Sequence, residues 1–581
     1  MKHRHSTIAG ALLSLSLATT AAAQWSGSAT TQLAVADGTA SQDARAILPA
    51  PGGGCYVSWY ETMSPIPGGP STFHVQHLDA GGRQLWPHGG VSIGSGRAVL
   101  GVDASGDALV VYGTVVTGVN HFFVTRLDAA TGAAVWPPAG VFVGTTTANL
   151  AFESVVGLTD GDVAVSWITD DRTQVLVKRF DPSGVSQWTR GIAPTVAGAR
   201  AIGGTLVAGP GGSVFVGVAY FAGPFVGSPI WLNAQKLDAF GNELWPIAQV
   251  AISNSGSASG WDMAHDGVGG LAMSWTTDVE VAVQRVSALG THSFPLGGIP
   301  VSTDASAIRG AQALRFDDVS GEMFVVFREQ SFSGFDVRVQ RIDATGTRLE
   351  SATGRSLLPG PFALPIDTVH AVDVGGGVLV AWNRSSASGD AIEGIVTDST
   401  GTASGGTFAI ASSASNKSDA VATTSEFGFA MFAFTDDGTG DEDVLVQNVL
   451  PDGSLGGVAT ATVRNGGGVN PTAFTSVTPP AIGTSWTTEI AHAPSDVATA
   501  MILHARPDVG TIVLGFGEVL VDLTGPSLIG QATFAAPSPD PYSVAIPPNL
   551  GLVGLAFSAQ GLIASPGAFQ LTNAIDIVIG L

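Results

Sequence analysis

The chain has 581 residues, of which 45% are hydrophobic and only 12% are charged, and its formal net charge is -23. A chain this long and this apolar can bury the cores of two or more domains, which argues against disorder. Nucleic acid is bound by clustered Lys and Arg, so the thinly spread negative charge argues against a nucleic-acid partner. The single cysteine, Cys55, excludes an internal disulfide.

The first 23 residues have the pattern of a secretory signal peptide. Lys2 and Arg4 precede a short apolar run, Ile8–Ala18, and the small residues Ala21–Ala23 follow it. This run is too short to anchor the chain in a bilayer, and no later stretch reaches about 18 uninterrupted apolar residues. We therefore expect a mature chain that starts at Gln24 and has no transmembrane segment. Its expected location is extracellular or periplasmic, either secreted or in the cell envelope.

An aromatic residue that closes an apolar run recurs through most of the chain. Successive copies are 52 to 55 residues apart. A second short run follows each aromatic, as in Val75–Asp79, and a glycine such as Gly82 comes soon after it. Self-similarity at this period is typical of propellers and solenoids. The eight aromatic anchors are Trp59, Tyr112, Trp167, Tyr220, Trp275, Phe327, Trp382 and Phe434.

Inside each repeat, short runs rich in Val, Ile, Phe and Trp alternate with period two, and glycine-containing pairs separate them. Around Trp275 this pattern predicts four strands, near Met263–Asp266, Leu271–Thr276, Val281–Val286 and Ile299–Val301. A lone four-stranded sheet cannot bury both of its faces, but sheets arranged radially cover one another. The sequence therefore predicts an all-β fold built on an eight-bladed β-propeller. A seven-bladed propeller, with one degenerate unit packed outside it, is the alternative.

The repeats divide the chain into domains. A polar lead, 24–31, is followed by the propeller, 32–460, a glycine-rich linker, 461–469, and a C-terminal domain, 470–581, that holds no copy of the repeat. Its short alternating runs predict an antiparallel β-sandwich. Two segments compete to complete the last blade, because Gln32–Val35 and Gly457–Thr460 both resemble an outer strand.

A Trp-Pro signature follows the turn in several repeats, for example at Trp86-Pro87 and Trp245-Pro246, and we interpret its aromatic residue as inter-blade core. Residues 33–455 resemble the propeller-type repeats of large secreted bacterial proteins. The resemblance rests on three patterns, W-x-D, V-x-x-Q-R-L-D-x-x-G and L-W-P-x-x-G-V-x-V. The resemblance implies an extracellular propeller scaffold and no particular reaction. Gln560–Ala574 is similar to the C-terminal module of secreted planctomycete-type proteins, which implies an accessory or attachment domain.

The sequence predicts no catalytic residue. It has no H-E-x-x-H zinc helix, and one cysteine cannot build a cysteine-rich metal site. Gly90–Gly94 matches G-x-S-x-G, but that motif acts at a strand-to-helix elbow, and here it falls in a strand position of the repeat. We interpret the match as coincidence.

One acidic turn is a candidate calcium site. It lies just after the aromatic anchor of the eighth repeat, and its spacing does not match an EF-hand. Calcium prefers six to eight oxygen ligands on a flexible loop, which five carboxylates and two glycines within eight residues could supply. The alternative is a solvated acidic hairpin tip. The candidate ligands are Asp436, Asp437, Asp441, Glu442 and Asp443.

These patterns favour a non-catalytic interaction or scaffold protein that binds a glycan or an envelope protein through its propeller loops. The longest such loops are predicted at Tyr60–Phe73 and Tyr220–Trp231. One alternative is a polysaccharide lyase or glycoside hydrolase on a propeller scaffold. Another is a purely structural envelope protein.

Overall fold

The computed structural model describes residues 24–62, 71–146, 152–221, 223, 229–245, 250–251, 258–358, 360, 362–363, 365–386, 389–438, 440–504, 507–523, 527–534 and 538–581. The predicted signal peptide, 1–23, lies outside these residues. Within them, strands and turns are interrupted only by the 3-10 turns Pro51–Gly53, Pro210–Gly212 and Leu550–Leu552. The same part of the chain contains no helix long and apolar enough to cross a membrane. The prediction of an all-β fold is confirmed.

After β1 (Leu33–Ala36), the strands follow in sets, and each set forms one antiparallel sheet. Sheet 1 contains β2 (Ser41–Pro49), β3 (Cys55–Thr62), β4 (Ser71–Leu78) and β5 (Val91–Ser95). Sheet 2 contains β6 (Ala98–Val102), β7 (Ala108–Val116), β8 (Val119–Leu127) and β9 (Val141–Thr146). Sheet 3 contains β10 (Phe152–Gly157), β11 (Val163–Ile168), β12 (Val175–Phe180) and β13 (Ser186–Ile192). Sheet 4 contains β14 (Arg200–Ala208), β15 (Val214–Phe221), β16 (Ile230–Leu237) and β17 (Val250–Ala251).

The second half of the repeat region continues in the same way. Sheet 5 contains β18 (Ser259–His265), β19 (Leu271–Thr276), β20 (Val281–Val286) and β21 (Ile299–Pro300). Sheet 6 contains β22 (Ile308–Asp317), β23 (Glu322–Ser331), β24 (Gly334–Ile342) and β25 (Arg355–Ser356). Sheet 7 contains β26 (Ile366–Val374), β27 (Gly377–Arg384), β28 (Ala391–Asp398) and β29 (Phe408–Ala411). Sheet 8 contains β30 (Lys417–Thr424), β31 (Ala430–Asp436) and β32 (Asp443–Val449). The four strands predicted around Trp275 therefore match sheet 5 to within a few residues.

The first strands of these sheets form a closed ring. Each of β2, β6, β10, β14, β18, β22, β26 and β30 contacts the first strands of the two neighbouring sheets, and β30 returns to β2. Buried apolar clusters fill the spaces between adjacent sheets, as predicted for radially packed sheets. The described residues thus have a β-propeller-like arrangement, with each first strand innermost. We call the side of the ring where the first strands begin the first-strand rim.

The start of the repeat region completes the last sheet. Strand β1 pairs antiparallel with β32, so that Leu33 lies opposite Val446. Trp25 also belongs to this closure, because it is only 1% exposed and its indole Nε1 donates a hydrogen bond to Ala80 O of sheet 1 at 2.6 Å. The competing segment lies elsewhere, since Thr460 pairs with Val578 in the C-terminal region.

Trp25 repeats a contact that recurs around the ring. The indole of Trp86 donates to Ala129 O of the next sheet at 3.0 Å, and Trp245 donates to Ala288 O at 3.2 Å. The turn glycine of that next sheet lies under the indole. A Cβ on Gly290, for example, would come within 2.7 Å of Trp245, and its φ of 79° also favours glycine. The Trp-Pro aromatic residues are inter-sheet core, as predicted, and each packs on the turn glycine of the following repeat.

The C-terminal region forms three further sheets. Its strands are β33 (Thr460–Arg464), β34 (Phe474–Ser476), β35 (Ser485–Ile490), β36 (Ala498–His504), β37 (Pro507–Leu514), β38 (Gly517–Val521), β39 (Ser527–Phe534), β40 (Asp540–Ala545), β41 (Ala556–Ser565) and β42 (Ala568–Val578). Sheet 9 has the order β33-β42-β41-β36-β39, sheet 10 has β34-β35-β40, and sheet 11 has β37-β38. The segment predicted as a linker therefore overlaps with β33, whose alternating residues pair with β42.

Sheet 10 packs on sheet 9 through a core that continues into the ring. This core includes Trp486 and Ile575 of the C-terminal sheets together with Trp59 and Met431 of sheets 1 and 8. The junction is also hydrogen-bonded, because Leu581 N donates to Gly457 O at 2.8 Å. The ring and the C-terminal sheets are thus joined by a shared apolar interface.

Candidate functional site

The five carboxylates predicted to bind calcium lie at the first-strand rim, at the ends of β31 and β32. Asp436 and Asp443 face each other across these two strands. Asp437 accepts hydrogen bonds from the backbone and side chain of Asn416, both at 2.7 Å. Glu442 accepts one from the hydroxyl of Ser41 in sheet 1. The carboxylates are near one another, but several are directed to different partners.

Asp436 has a partner that the sequence pattern did not suggest. Its side chain is 7% exposed and lies 3.4 Å from the ammonium of Lys417, whose side chain is fully buried. That ammonium also donates to Ser413 O at 2.9 Å and to Ser415 O at 3.0 Å. Lys417 therefore already supplies part of the positive charge that offsets these carboxylates.

Within the described residues, no three His, Cys, Asp or Glu side chains are grouped so that they could hold a metal ion. Thr439 of the acidic turn lies outside those residues. Calcium binding there stays a prediction, and its test is a thermal melt with millimolar Ca²⁺ and with chelator. The hypothesis expects Ca²⁺ to raise the melting temperature and Asp441→Ala to abolish the rise. Equal melting temperatures in Ca²⁺ and in chelator would reject it.

A second buried ion-pair network lies at the same rim, in sheets 5 and 6. Arg309 is 1% exposed and lies directly opposite Glu329 in the sheet. Its guanidinium is 2.9 Å from both Glu329 and Glu280, and Glu329 in turn lies 2.8 Å from Arg338. Burial raises the pKa of the Glu280 carboxyl, although Arg309 works in the opposite direction. The pair Arg309–Glu329 occupies the same place in sheet 6 as Lys417–Asp436 does in sheet 8, two residues after the aromatic anchor.

The first strands are irregular at this rim. A register shift typical of a β-bulge interrupts the pairing of the first and second strands in every described sheet of the ring except sheet 2. Bulges redirect side chains and are frequent near functional sites. Here they lie beside two clefts that open between neighbouring sheets.

Cleft B opens between sheets 5 and 6 and has a volume of about 550 Å³. Its lining includes Trp261, Thr276, Gln312 and Arg328. The half-buried indole of Trp261 donates to the hydroxyl of Thr205 at 3.1 Å. The lining carboxylate Asp262 accepts the backbone N–H of Leu314 at 3.0 Å, and burial raises its pKa. The Trp261 indole thus lies against sheet 4, and the groups that cleft B presents between sheets 5 and 6 are mainly polar.

Cleft A opens between sheets 1 and 2 and has a volume of about 420 Å³. Arg45 and Arg97 line it, together with Tyr60, Phe73 and Ser58. The Arg45 guanidinium lies over the Tyr60 ring, 5.1 Å from its centroid, and 3.0 Å from the Asp43 carboxylate. Tyr60 and Phe73 meet edge to face with their centroids 5.2 Å apart. The Tyr60 hydroxyl accepts the Ala98 backbone N–H at 2.6 Å, which holds it against the first strand of sheet 2.

Sequence reasoning located the acidic turn but missed both clefts and their arginines. Arg45 and Arg309 lie in alternating strand segments, where nothing in the sequence marks them as charged groups at a rim. The available signal was their place in the repeat, because both belong to a first strand. Most of the two long loops predicted to bind lies at 63–70, 222 and 224–228, outside the described residues.

Comparison with known proteins assigns neither a family nor a function to the chain. No protein-family model matches the chain, and a search of curated proteins finds no match. Among solved structures, prolyl oligopeptidase B from Galerina marginata is 10% identical with a TM-score of 0.39, and the match covers 69% of this chain and 55% of that one. The polysaccharide lyase Uly1 is 9% identical with a TM-score of 0.34, covering 58% of this chain and 89% of that one.

An exo-β-1,3-galactanase from Phanerochaete chrysosporium is 12% identical with a TM-score of 0.26, and the match covers 67% of this chain and 96% of that one. The chain thus spans only about half the length of the first of these three structures. The structurally similar proteins include enzymes, but similarity this weak says nothing about activity in this chain.

Proposed function

We propose that this protein is a secreted or envelope-located, non-catalytic binding protein that takes up a glycan at the first-strand rim. In this proposal the ring is an eight-bladed β-propeller and the C-terminal sheets form a β-sandwich. Ring contacts from sheet 8 to sheets 1 and 7 support eight blades over seven. The packing of sheet 10 on sheet 9 supports the sandwich.

One observation carries the choice of binding over catalysis: the buried carboxylates around cleft B already have partners. A glycoside hydrolase needs two carboxyl groups that face each other across the sugar. The two carboxylates that line cleft B differ in their surroundings, because Asp262 accepts two backbone N–H groups whereas Asp278 is exposed. The neighbouring Glu280 and Glu329 both hold Arg309. What cleft B offers a ligand is a polar lining that includes the Arg328 guanidinium, whose Nε has no hydrogen-bond partner among the described residues, and such a lining suits the hydroxyl groups of a sugar.

The test is a binding screen of residues 24–581 against soluble polysaccharides, with the size of each polysaccharide measured before and after incubation. We expect retention of at least one glycan without shortening. We also expect Arg328→Gln to weaken that binding roughly tenfold, because Arg328 lines cleft B and arginine is often among the residues that dominate binding energy. Arg190→Gln is the control, because Arg190 is exposed on an outer strand of sheet 3 and does not line cleft B.

The outcomes of this screen distinguish glycan binding from catalysis and from binding to an envelope protein. Shortened products would replace this proposal with a lyase or a hydrolase. If no glycan binds, the glycan proposal is rejected and an envelope protein becomes the expected partner.

A further inference from the structure

Cleft A carries charge of the opposite sign to the rest of the chain. The protein has 24 Lys and Arg against 47 Asp and Glu, yet two arginines and no carboxylate line this cleft. Burial raises the pKa of the Tyr60 hydroxyl, while Arg45 and Arg97 act in the opposite direction because they favour its anion. Two positive charges therefore meet at this cleft in an acidic protein, one of them paired with Asp43.

The cleft exists because sheet 2 is built differently from its neighbours. Only Gly96 and Arg97 connect β5 to β6, whereas seven residues connect β21 to β22. Strand β6 is also short and joins β7 without a register shift. Sheet 2 therefore lacks the longer segment that precedes the first strand of sheet 6, and Arg97 lies at the edge of cleft A.

The groups that line the cleft are only partly used within the protein. Arg97 is exposed, and among the described residues its guanidinium has no hydrogen bond or ion pair. Arg45 shares its charge with one half-exposed carboxylate, Asp43. Ser58 is fully buried beneath the cleft, and its hydroxyl has no hydrogen-bond partner in the described structure. Ser274 precedes its aromatic anchor in the same way and its buried hydroxyl is also unpaired, so the free hydrogen-bonding group particular to this cleft is the Arg97 guanidinium.

We propose that cleft A binds the anionic group of an acidic sugar, either a carboxylate or a sulfate. This proposal rests on the glycan-binding function above and names its ligand class. A planar guanidinium donates two parallel hydrogen bonds to such a group, which is the role of Arg97, and Arg45 adds a second positive charge. Tyr60, supported from behind by the buried Phe73, provides the aromatic wall for the sugar ring, and the volume suits a small ligand.

The net charge of -23 determines which probes and which salt concentration suit a measurement of this binding. At low ionic strength the acidic surface repels a long acidic polymer, whereas at about 0.15 M salt charges more than roughly 8 Å apart are screened. Direct contacts with arginine survive such screening. Short oligosaccharides at physiological salt are therefore the appropriate probes.

The experiment is calorimetric titration of residues 24–581 with tri-galacturonate, with a sulfated galactose oligomer and with maltotriose as the neutral probe. We expect at least one acidic probe to bind about tenfold or more tightly than maltotriose. Arg97→Gln should weaken the acidic probe about tenfold and leave maltotriose unchanged. Arg83→Gln, which removes the same charge from an exposed turn, should change neither affinity.

The outcomes separate this inference from the proposed function. Whether galacturonate or the sulfated oligomer binds identifies the anionic group. Equal affinity for acidic and neutral probes, or an unchanged acidic affinity in Arg97→Gln, would overturn the inference while leaving glycan binding in place. If none of the probes and none of the screened polysaccharides binds, both proposals fall. Because Arg97 is exposed, its replacement should not change the melting temperature, which verifies folding of the variant.

Discussion

Truncation of Trp25 to alanine should cost about 3–5 kcal/mol of folding free energy, because it removes a fully buried indole and leaves a cavity. The contacts that this variant loses lie where the ring closes. Trp25 bonds to Ala80 O and lies against Gly82, while Leu33 and Val35 of β1 belong to the same apolar cluster. With the indole gone, β1 is held mainly by its short pairing with β32, which should then become an exposed sheet edge.

Hydrogen exchange distinguishes loss of closure from general destabilisation. In Trp25→Ala we expect faster amide exchange in β1 and β32 and at the contact of β2 with β30. Trp136→Ala is the matched control, since Trp136 makes the same contact to Pro182 O between sheets 2 and 3. The Trp136→Ala variant should be destabilised by a similar amount, but its amide exchange should be faster at the junction of sheets 2 and 3. Unchanged protection of β1 in Trp25→Ala would show that the N-terminal segment does not close the ring.

The repeat made most of the fold predictable. Aromatic anchors at a constant period, with glycines at a constant distance, specify the same four-stranded unit wherever they occur. The alternation from Leu271 to Val286 was enough to place two strands of sheet 5 to the residue. The structural role of Trp25 was not predicted, because the other residues of the repeat motif do not accompany it before β1. Its partners in sheets 1 and 8 lie beside it only when the ring closes.

The rim was much less predictable, for a physical reason. Which charges meet there depends on pairing register, and a bulge shifts that register by one residue without any mark in the composition. Lys417 and Asp436 are 19 positions apart in the sequence and share no motif, yet they form a buried ion pair. The five acidic residues looked like a cation site because the sequence shows their charge but not the lysine that already balances part of it. Cleft A depends on a connection of two residues, which a sequence pattern presents as an ordinary turn.

Replacement of Arg309 by methionine should be the most damaging change at the rim. It removes the shared partner of Glu280 and Glu329, so that Glu280 loses its ion pair at a partly buried site while Glu329 keeps only Arg338. Breaking a buried ion pair from one side typically costs about 3–5 kcal/mol. We expect a loss of that size in denaturant unfolding at pH 7. Arg83→Met is the control and should change stability by well under 1 kcal/mol, because its pair with Asp79 is exposed.

The loss in Arg309→Met should shrink as the pH falls from 7 to 5. Burial already raises the pKa of Glu280 in the folded protein, and removal of Arg309 takes away a group that lowers it. A carboxyl whose folded pKa exceeds its unfolded pKa binds protons more readily in the native state, so acidification favours folding. Arg309→Met/Glu280→Gln should therefore be more stable at pH 7 than Arg309→Met and should lose part of this pH dependence. An equal loss at both pH values would mean that the buried negative charge is not what destabilises the variant, and that Arg309 acts through packing alone.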